Sequence, residues 1–461
     1  MLPVTSSRQH LLLPLAAIAT LFAQQGLPQS NFFEPLDVQV EASSEDRIGL
    51  LGWLVEEVSF GLQDPGAGFA REQSGVAKIE TRLFLQYDTE LADEWNFRIS
   101  GNIYHDEVYR AYDSRNYSAT EINVHRNRYQ IRDFYLEHES DNGFYFKLGN
   151  QIIAWGQAEY LRVTDLVNTE DQFTFAQQDL EDLRLQVPAA LASFPVGQWQ
   201  WEGVITWDAG LNQLAPERDE FDPYIALRQA GIQPAILESA REHEIFVRAS
   251  RQSSQGDLQF VAGEFNNNIP GGIGTTQTQD AIQAPVFLYQ AARNRAVGVA
   301  GNRVLGSWIA FAEAGLHTNR ALQPAPMTAA AMNNNWESRD QWLGVLGLEY
   351  SGFENLLLSV EIDSMHTRAH TTDLWTDANQ TGFGARFYWT ALNERLQVSG
   401  VWNELPDAVG QVARLSGNYD WSDSLSFGLL WVGYKSKPDS VFALYDQNDV
   451  LQLQLRYNFQ Y

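Results

Sequence analysis

The segment 154–183 concentrates carboxylate side chains, which supply the hard oxygen ligands that divalent cations prefer. The spacing of these side chains is not that of an EF-hand loop, so three interpretations are open. The segment could fold inward and narrow a channel, hold a divalent cation, or form a solvated acidic surface that cations bridge to lipopolysaccharide. The carboxylates are those of Glu159, Asp165, Glu170, Asp171, Asp179, Glu181 and Asp182.

Basic side chains recur on the polar side of an alternating pattern that is set out below. They are Lys78, Arg82, Arg98, Arg128, Arg132, Lys147, Arg248, Arg303, Arg386, Arg414 and Arg456, with Glu80 on the same side. Facing rings of Arg and Glu would select a solute by its charge, but the same residues could instead pair across neighbouring strands and stiffen a wall. In either case we expect a wall more basic than the outer loops. The residues predicted to contact a solute are Arg82, Arg98, Arg128, Arg132, Lys147, Gln151, Trp155 and Arg386.

Motifs for covalent chemistry are absent from the sequence. It contains no G-x-S-x-G, no H-E-x-x-H and no phosphate-binding P-loop. His366 and His370 are four residues apart, as a pair of zinc ligands would be, but they fall in a predicted loop. We therefore predict no enzyme activity and no cofactor, and we assign no metal ligands.

The composition narrows the class of partner. Of 461 residues, 31 are basic and 58 are acidic, and the formal net charge of −27 argues against nucleic-acid binding, which needs clustered Lys and Arg. The absence of cysteine excludes a disulfide framework, a thiolate metal site and a cysteine nucleophile. Aromatic residues make up 12% of the chain and supply ample surface to bury, so we expect an ordered fold.

The first residues are typical of an export signal. Arg8 precedes an apolar run over 11–22, which is shorter than the ~20 residues that a helix needs to cross a bilayer. We predict a signal peptide over 1–23, a periplasmic segment over 24–49 and one domain over 50–461.

From about residue 50 onward, apolar residues occupy every second position in segments of about ten. In the last segment Leu453 stands between Gln452 and Gln454, and the alternation continues to Tyr461. A period of two residues indicates β-strands with one apolar face and one polar face.

Three observations favour a transmembrane barrel over a soluble sandwich or propeller. Segments of this length match a tilted strand that crosses a bilayer, and the connections alternate between short and long, as in outer-membrane barrels. Aromatic residues mark both ends of the strands, as interfacial girdles do. They are Trp95, Trp199, Trp389, Trp421 and Tyr461 at the short connections, and Trp207, Trp402, Trp431 and Tyr434 at the long ones.

We therefore predict an all-β fold, a transmembrane antiparallel β-barrel of about 18 strands with short periplasmic turns and long external loops. Sixteen strands is the alternative, because Pro188 weakens one segment and the pair Glu56 and Glu57 weakens another.

The stretch from Arg132 to Pro188 carries a motif as well as a period. It reads RDFYLEH, KLGNQIIAWGQAEY, DLVNTED and DLEDLRLQVP, and it resembles a family of outer-membrane porin-like proteins that are distantly similar to the alginate-export porins. The residues that fit the pattern are Lys147, Gly149, Gln151, Trp155, Gly156, Asp165, Asn168, Asp171 and Pro188, and those that depart from it are Asn150, Gln157 and Thr169. The resemblance implies a channel of about 18 strands for small hydrophobic or carboxylated molecules.

Pattern and resemblance together predict a porin-like channel in the bacterial outer membrane. Small hydrophobic or carboxylated solutes would pass through it passively, in or out, under the control of external loops. The alternative is a non-transporting barrel that acts as an adhesin or as a partner of an export or uptake machine. Expected partners are outer-membrane lipid and lipopolysaccharide, the barrel-assembly machinery, the solute, and a transport partner in the inner membrane or periplasm.

Overall fold

The structure is a computed structural model that describes most of the chain from residue 49 onward. The described residues are 49–66, 68–92, 94–112, 117, 119–178, 183–237, 243–276, 286–323, 336–374, 376–405, 409–437 and 440–461. Within these ranges no helix combines the length and the apolar character that crossing a membrane would require. The predicted signal peptide over 1–23 and nearly all of the segment 24–49 lie outside the described residues.

Strands dominate the described residues. In chain order they are β1 Leu50–Gly61, β2 Gly75–Ala92, β3 Trp95–Asp106, β4 Asn127–Glu139, β5 Tyr145–Gln151, β6 Asp171–Gln172, β7 Val187–Val196, β8 Trp199–Trp207, β9 Gln213–Leu214, β10 Gln233–Ile236, β11 His243–Ser253, β12 Gly256–Asn266, β13 Gly271–Thr276, β14 Val286–Gln290, β15 Arg293–Leu305, β16 Trp308–Leu322, β17 Glu337–Phe353, β18 Leu356–Thr367, β19 Asn379–Ala391, β20 Leu396–Glu404, β21 Gly410–Ser422, β22 Leu425–Ser436 and β23 Val450–Gln460. Eighteen of them form one sheet, while β6, β9, β10, β13 and β14 lie in connections and form two small separate sheets.

The large sheet closes on itself. Each of its strands pairs antiparallel with the next one along the chain, and β23 pairs with β1. At the seam the Leu50 amide donates to the Tyr461 carbonyl at 3.2 Å, and the Tyr461 amide donates to the Leu50 carbonyl at 2.8 Å. The predicted 18-strand antiparallel barrel is confirmed, and the alternative of 16 strands is wrong.

The segments that carry Pro188 and the pair Glu56 and Glu57 are both strands of the barrel, and the structure shows why. Pro188 lies at the beginning of β7, where a missing amide donor removes little of the ladder. On β1 the Glu57 carboxylate points inward and forms an ion pair with Lys78 of β2. Glu56 points outward and accepts a hydrogen bond from the Thr81 hydroxyl at 2.9 Å.

The two faces of the wall differ as the alternation predicts. On β23, Leu453 and Tyr457 are exposed on the outside, whereas Gln452 is buried inside. Trp421 and Trp431 are exposed near opposite ends of the wall, as two girdles require. Tyr434 was expected in a girdle and this is wrong, because its ring is buried inside the barrel and packs against Phe175, Phe221 and Phe442.

The long connections gather at one end of the barrel and carry structure of their own. In the connection after β8, Ile225–Gln229 is helical and Gln233–Ile236 forms β10. Gly231, at a φ of +77°, ends the helix before Pro234. In the connection between β12 and β15, the strands β13 and β14 pair with each other.

Candidate functional site

The connection between β5 and β7 lies inside the barrel. We call its described residues, 152–178 and 183–186, the inner loop. It leaves the wall after Gln151 and reaches residues of β16, β18 and β19 on the far side. In the ring of 18 strands, β19 stands nine strands from β5 in either direction, so the inner loop spans the barrel.

Two buried wall carboxylates hold the backbone of the inner loop. Glu313 of β16 accepts hydrogen bonds from the amides of Gln157, Ala158 (2.8 Å) and Thr164 (3.1 Å), and from the Thr164 hydroxyl at 2.7 Å. Glu361 of β18 accepts from the next two amides of the loop. Those bonds come from Glu159 at 3.0 Å and Tyr160 at 3.1 Å. Because a buried amide without an acceptor is costly, these carboxylates determine where the loop lies.

Apolar and small residues complete the contact with the far wall. Ala158, Leu161 and Val163 of the inner loop pack with wall side chains, which are Phe311, Leu343, Val345 and Met365. The Tyr160 ring lies over Gly384 of β19, where a methyl group would stand 2.0 Å from a ring carbon. The absence of a side chain at Gly384 therefore makes room for the Tyr160 ring of the inner loop.

Residues of the recognised motif hold the inner loop together. Asn168 accepts from the Ile153 amide at 2.8 Å and donates to the Leu185 carbonyl at 2.7 Å, so it joins the two ends of the loop. Burial disfavours the ionised form of Asp165, but Arg162 and Arg184 outweigh burial and hold the pKa of Asp165 below its ordinary value of 3.8. Their Nε atoms lie 3.3 Å and 3.1 Å from the carboxylate. The motif thus specifies a loop conformation.

Three acidic residues of this segment, Glu159, Asp165 and Glu170, form ion pairs with arginines. Glu159 forms an ion pair with Arg386, and Glu170 contacts Arg162 at 3.2 Å. Within the described ranges no group of three His, Asp or Glu side chains could hold a metal ion. Asp179, Glu181 and Asp182 lie outside the described residues. Of the three interpretations of this segment, the geometry favours a loop that narrows the barrel.

Four of the predicted site residues lie around the inner loop. Arg386 is buried beneath it and contacts Glu159 and Glu349. The Trp155 ring packs on Phe246, and the Arg248 guanidinium lies 5.4 Å from the Trp155 ring centroid. The other two flank the point where the loop leaves the wall. Gln151 is fully buried and donates to the Ala189 carbonyl at 3.0 Å, while the Arg132 carbonyl accepts from the side chain of Asn150.

Arg82 and Arg128 meet in a second region, which we call the charged cavity. It lies between β1–β4, the inner loop and the connection after β8. Its charged lining residues are Glu57, Lys78, Glu80, Arg82, Asp106, Arg128, Asp171, Asp219 and Glu220. The wall strands supply three of these carboxylates and all three cations, whereas Asp171, Asp219 and Glu220 come from connections, so the wall here is less acidic than the loops that face it. Burial and the nearby Arg128 charge also lower the pKa of its His125 imidazole to about 3, which keeps that ring neutral.

Cations of the charged cavity are matched by carboxylates or aromatic faces. Arg128 contacts Glu80 at 3.1 Å and lies 4.2 Å from the Tyr104 ring centroid. Arg82 lies 4.8 Å from the Trp53 ring centroid. Lys78 and Glu57, on β2 and β1, form an ion pair across neighbouring strands, which is one of the two interpretations of these residues, and the ring contacts of Arg82 and Arg128 also join neighbouring strands. The Arg128–Glu80 pair reaches past β3.

Arg98 and Lys147 share a third region at the Tyr135 ring. The Lys147 ammonium lies 3.7 Å and the Arg98 guanidinium 5.9 Å from the centroid of that ring, and Arg98 also pairs with Asp88. The eight predicted site residues thus occupy three separate parts of the interior and its wall. The sequence analysis missed Glu313 and Glu361, although each is an acidic residue on the inward face of an alternating segment.

One family matches the chain over most of its length, the protein family of unknown function DUF1302, which covers residues 69–459. The chain belongs to this family. The comparison with curated proteins finds no match. Similarity to solved structures lies in the fold, at low sequence identity.

Bacterial outer-membrane channels are among these structures. The chain is similar to OccAB3 of Acinetobacter baumannii, with a TM-score of 0.50, 9% identity, and coverage of 89% of this chain and 99% of that one. OpdK of Pseudomonas aeruginosa, solved with vanillate, has a TM-score of 0.48 at 9% identity and the same coverage. An anion-selective porin from Comamonas acidovorans has a TM-score of 0.42 at 11% identity, covering 89% and 98%. The fold of the closed 18-strand barrel matches an outer-membrane porin fold.

Proposed function

We propose that this protein is a passive channel of the bacterial outer membrane that admits or exports small hydrophobic or carboxylated solutes. One observation carries the proposal: an anchored loop crosses the interior of a closed barrel whose exterior is apolar. A ring of 18 strands is wide enough for an aqueous lumen, and a loop fixed to both walls narrows it to a selective passage. Diffusion through such a passage needs no covalent chemistry.

External loops would control entry to the passage. Aromatic side chains from three connections pack together on the inner face of β21–β23, and they include Phe221, Tyr224, Tyr289, Phe442 and Tyr445. This cluster covers part of the mouth, and its displacement would widen the entrance. We expect the outer surface to contact lipid and lipopolysaccharide, and we expect the barrel-assembly machinery to insert the chain.

Reconstitution tests the proposal directly. Folded full-length protein, identified by its heat-dependent mobility in gel electrophoresis, should give discrete conductance steps in planar bilayers. It should also let small carboxylates swell liposomes. Folded protein that gives neither signal would contradict the channel. The second candidate is a non-transporting barrel, and the aromatic cluster that covers part of the mouth favours it. This candidate predicts no conductance steps, no liposome swelling and unchanged uptake in a deletion strain.

A further inference from the structure

The wall of the barrel is incomplete beside β4. The ladder between β4 and β5 runs only from the pair Phe134–Asn150 to the pair Glu139–Tyr145, although β4 begins at Asn127. The chain leaves the wall after Gln151 of β5 and rejoins it at Val187 of β7, and these two residues are register partners. Among the described residues, no other strand extends this ladder along 127–133. We call the gap beside 127–133 the side opening.

The side opening lies within the apolar band of the exterior. Tyr129 and Ile131 are 80% and 69% exposed on its β4 rim. Their neighbour on β3, Ile103, pairs with Tyr129 and is also an exposed apolar residue. In lipid an open strand edge is tolerated only where it lines a cavity or is covered by protein. The free edge of β4 at this depth is therefore expected to line a cavity.

A cavity of ≈ 630 Å³ fills the side opening, which is within the range of about 300–1,000 Å³ for small-molecule sites. Apolar side chains form its rims, with Tyr129 and Ile131 on β4 and with Leu185, Ala209 and Leu211 on the opposite side. Polar residues also line it. They are Arg128, Gln130, Thr169, Asp171, Gln186 and Gln213, among others.

The same cavity adjoins the charged cavity. Tyr104, Arg128, Gln130 and Asp171 line both of them, so one set of side chains separates the interior from the side opening. Arg128 is the cation at this junction. Its Nε–H is buried and has no hydrogen-bond acceptor among the described residues, while another nitrogen of the guanidinium contacts Glu80. A carboxylate oxygen is the acceptor that such a donor prefers.

We propose that the side opening is a lateral exit through which an amphipathic carboxylate moves between the lumen and the lipid of the membrane. The carboxylate end binds at Arg128, and the apolar body lies between the rims formed by Ile131 and Leu185. This inference rests on the proposed channel function and names both the solute class and a route for it. Asn150 borders the route, because its side chain donates to the Arg132 carbonyl at the last rung of the β4–β5 ladder.

The natural absence of cysteine permits a direct test. A double variant, Ile131→Cys with Leu185→Cys, is linked across the side opening by a short bis-maleimide, and mass spectrometry verifies the link. The matched control is Leu136→Cys with Leu148→Cys, which are register partners in the closed part of the same ladder. Dodecanoate uptake is measured in cells that lack their own fatty-acid channel, and KCl conductance is measured in planar bilayers.

We expect the link across the side opening to reduce dodecanoate uptake to the level of cells without the chain, with conductance unchanged. The control link should change neither. Ala209→Trp fills the same cavity without a reagent and should reproduce the loss of uptake. Arg128→Gln should weaken uptake of dodecanoate but not of dodecanol, while Arg303→Gln, at an exposed position near a short turn, should affect neither.

Two results would overturn the lateral exit. One is a barrel with normal KCl conductance in which neither the cysteine link across the side opening nor Ala209→Trp reduces dodecanoate uptake. The other is a link that abolishes conductance and uptake together, because ions and dodecanoate would then share the axial path. A wild-type barrel without KCl conductance would instead refute the proposed channel. If dodecanoate uptake by that barrel were still lost on linking residues 131 and 185, the lateral exit would remain supported.

Discussion

Tyr160 of the inner loop lies over Gly384 of β19, and a Cβ at Gly384 would stand 2.0 Å from the tyrosine ring. These residues are far apart in the sequence and belong to opposite sides of the barrel. Their contact marks the point at which the far wall receives the inner loop. A side chain at position 384 cannot coexist with the ring in its present place.

Gly384→Leu should therefore displace Tyr160 and the loop around it. Overpacking of a filled site costs about 1–3 kcal/mol, so we expect a lower thermal midpoint and a wider, noisier conductance step. Gly417→Ala is the matched control, because nothing lies within 4 Å of its Cβ. A Gly384→Leu channel with wild-type conductance would show that the inner loop does not limit the passage.

Glu313→Gln should weaken the hydrogen bonds that hold the inner loop to β16. The carboxylate receives four hydrogen bonds from Gln157, Ala158 and Thr164, and an amide side chain can accept through only one oxygen. Each buried donor left without an acceptor costs about 1–3 kcal/mol. Hydrogen exchange of the loop amides should accelerate. Glu354→Gln, in an exposed short turn, should leave exchange unchanged, and equal protection in both variants would contradict the anchoring role.

Low pH should release the inner loop through Asp165. Because Arg162 and Arg184 hold the pKa of Asp165 below 3.8, its ionised form stabilises the fold above that pH, and the stabilisation is lost as pH falls through the lowered pKa. The difference in thermal unfolding between wild type and Asp165→Asn should therefore be largest near pH 7 and should shrink as pH falls below 3.8. A constant difference across this range would contradict the ion-pair account, and Asp141→Asn in an exposed turn serves as the control.

Variants of Arg386 can distinguish a role in positioning the inner loop from direct contact with the solute. Its guanidinium is buried between Glu159 and Glu349, so Arg386→Met leaves two buried carboxylates without their cation. Breaking such a pair costs about 3–5 kcal/mol, and adding Glu159→Gln should recover part of that loss. If the double variant regains stability and also wild-type ion selectivity, Arg386 positions the loop. Selectivity that stays altered in the stable double variant would instead support the predicted contact with solute.

The alternation of apolar residues predicted the wall closely because strand period and face follow from local sequence. The alternation was expected from about residue 50 and the first strand begins at Leu50, and the strand that carries Pro188 is present as well. The position of the inner loop was not predictable in the same way. It depends on Glu313 and Glu361, whose partners lie roughly 150 to 200 residues earlier in the chain. No local pattern encodes a contact of that range.

The candidate site was predicted less well for a related reason. Alternation identifies Arg82, Arg128 and Arg386 as inward-facing, but it does not say which carboxylate or ring meets each of them. Tyr434 was placed in a girdle because an aromatic residue at a strand end fits that pattern, and the packing of Phe175 and Phe221 that draws it inside comes from distant connections.

The seam between β1 and β23 has a consequence for biogenesis. The ring closes through contacts between residues from opposite ends of the barrel domain, such as Leu50 and Tyr461. Contacts so distant in sequence form slowly, and until they form the nascent sheet has two exposed edges that invite aggregation. Loss of the final strand should therefore arrest assembly before any lumen exists, whatever the state of the remaining strands.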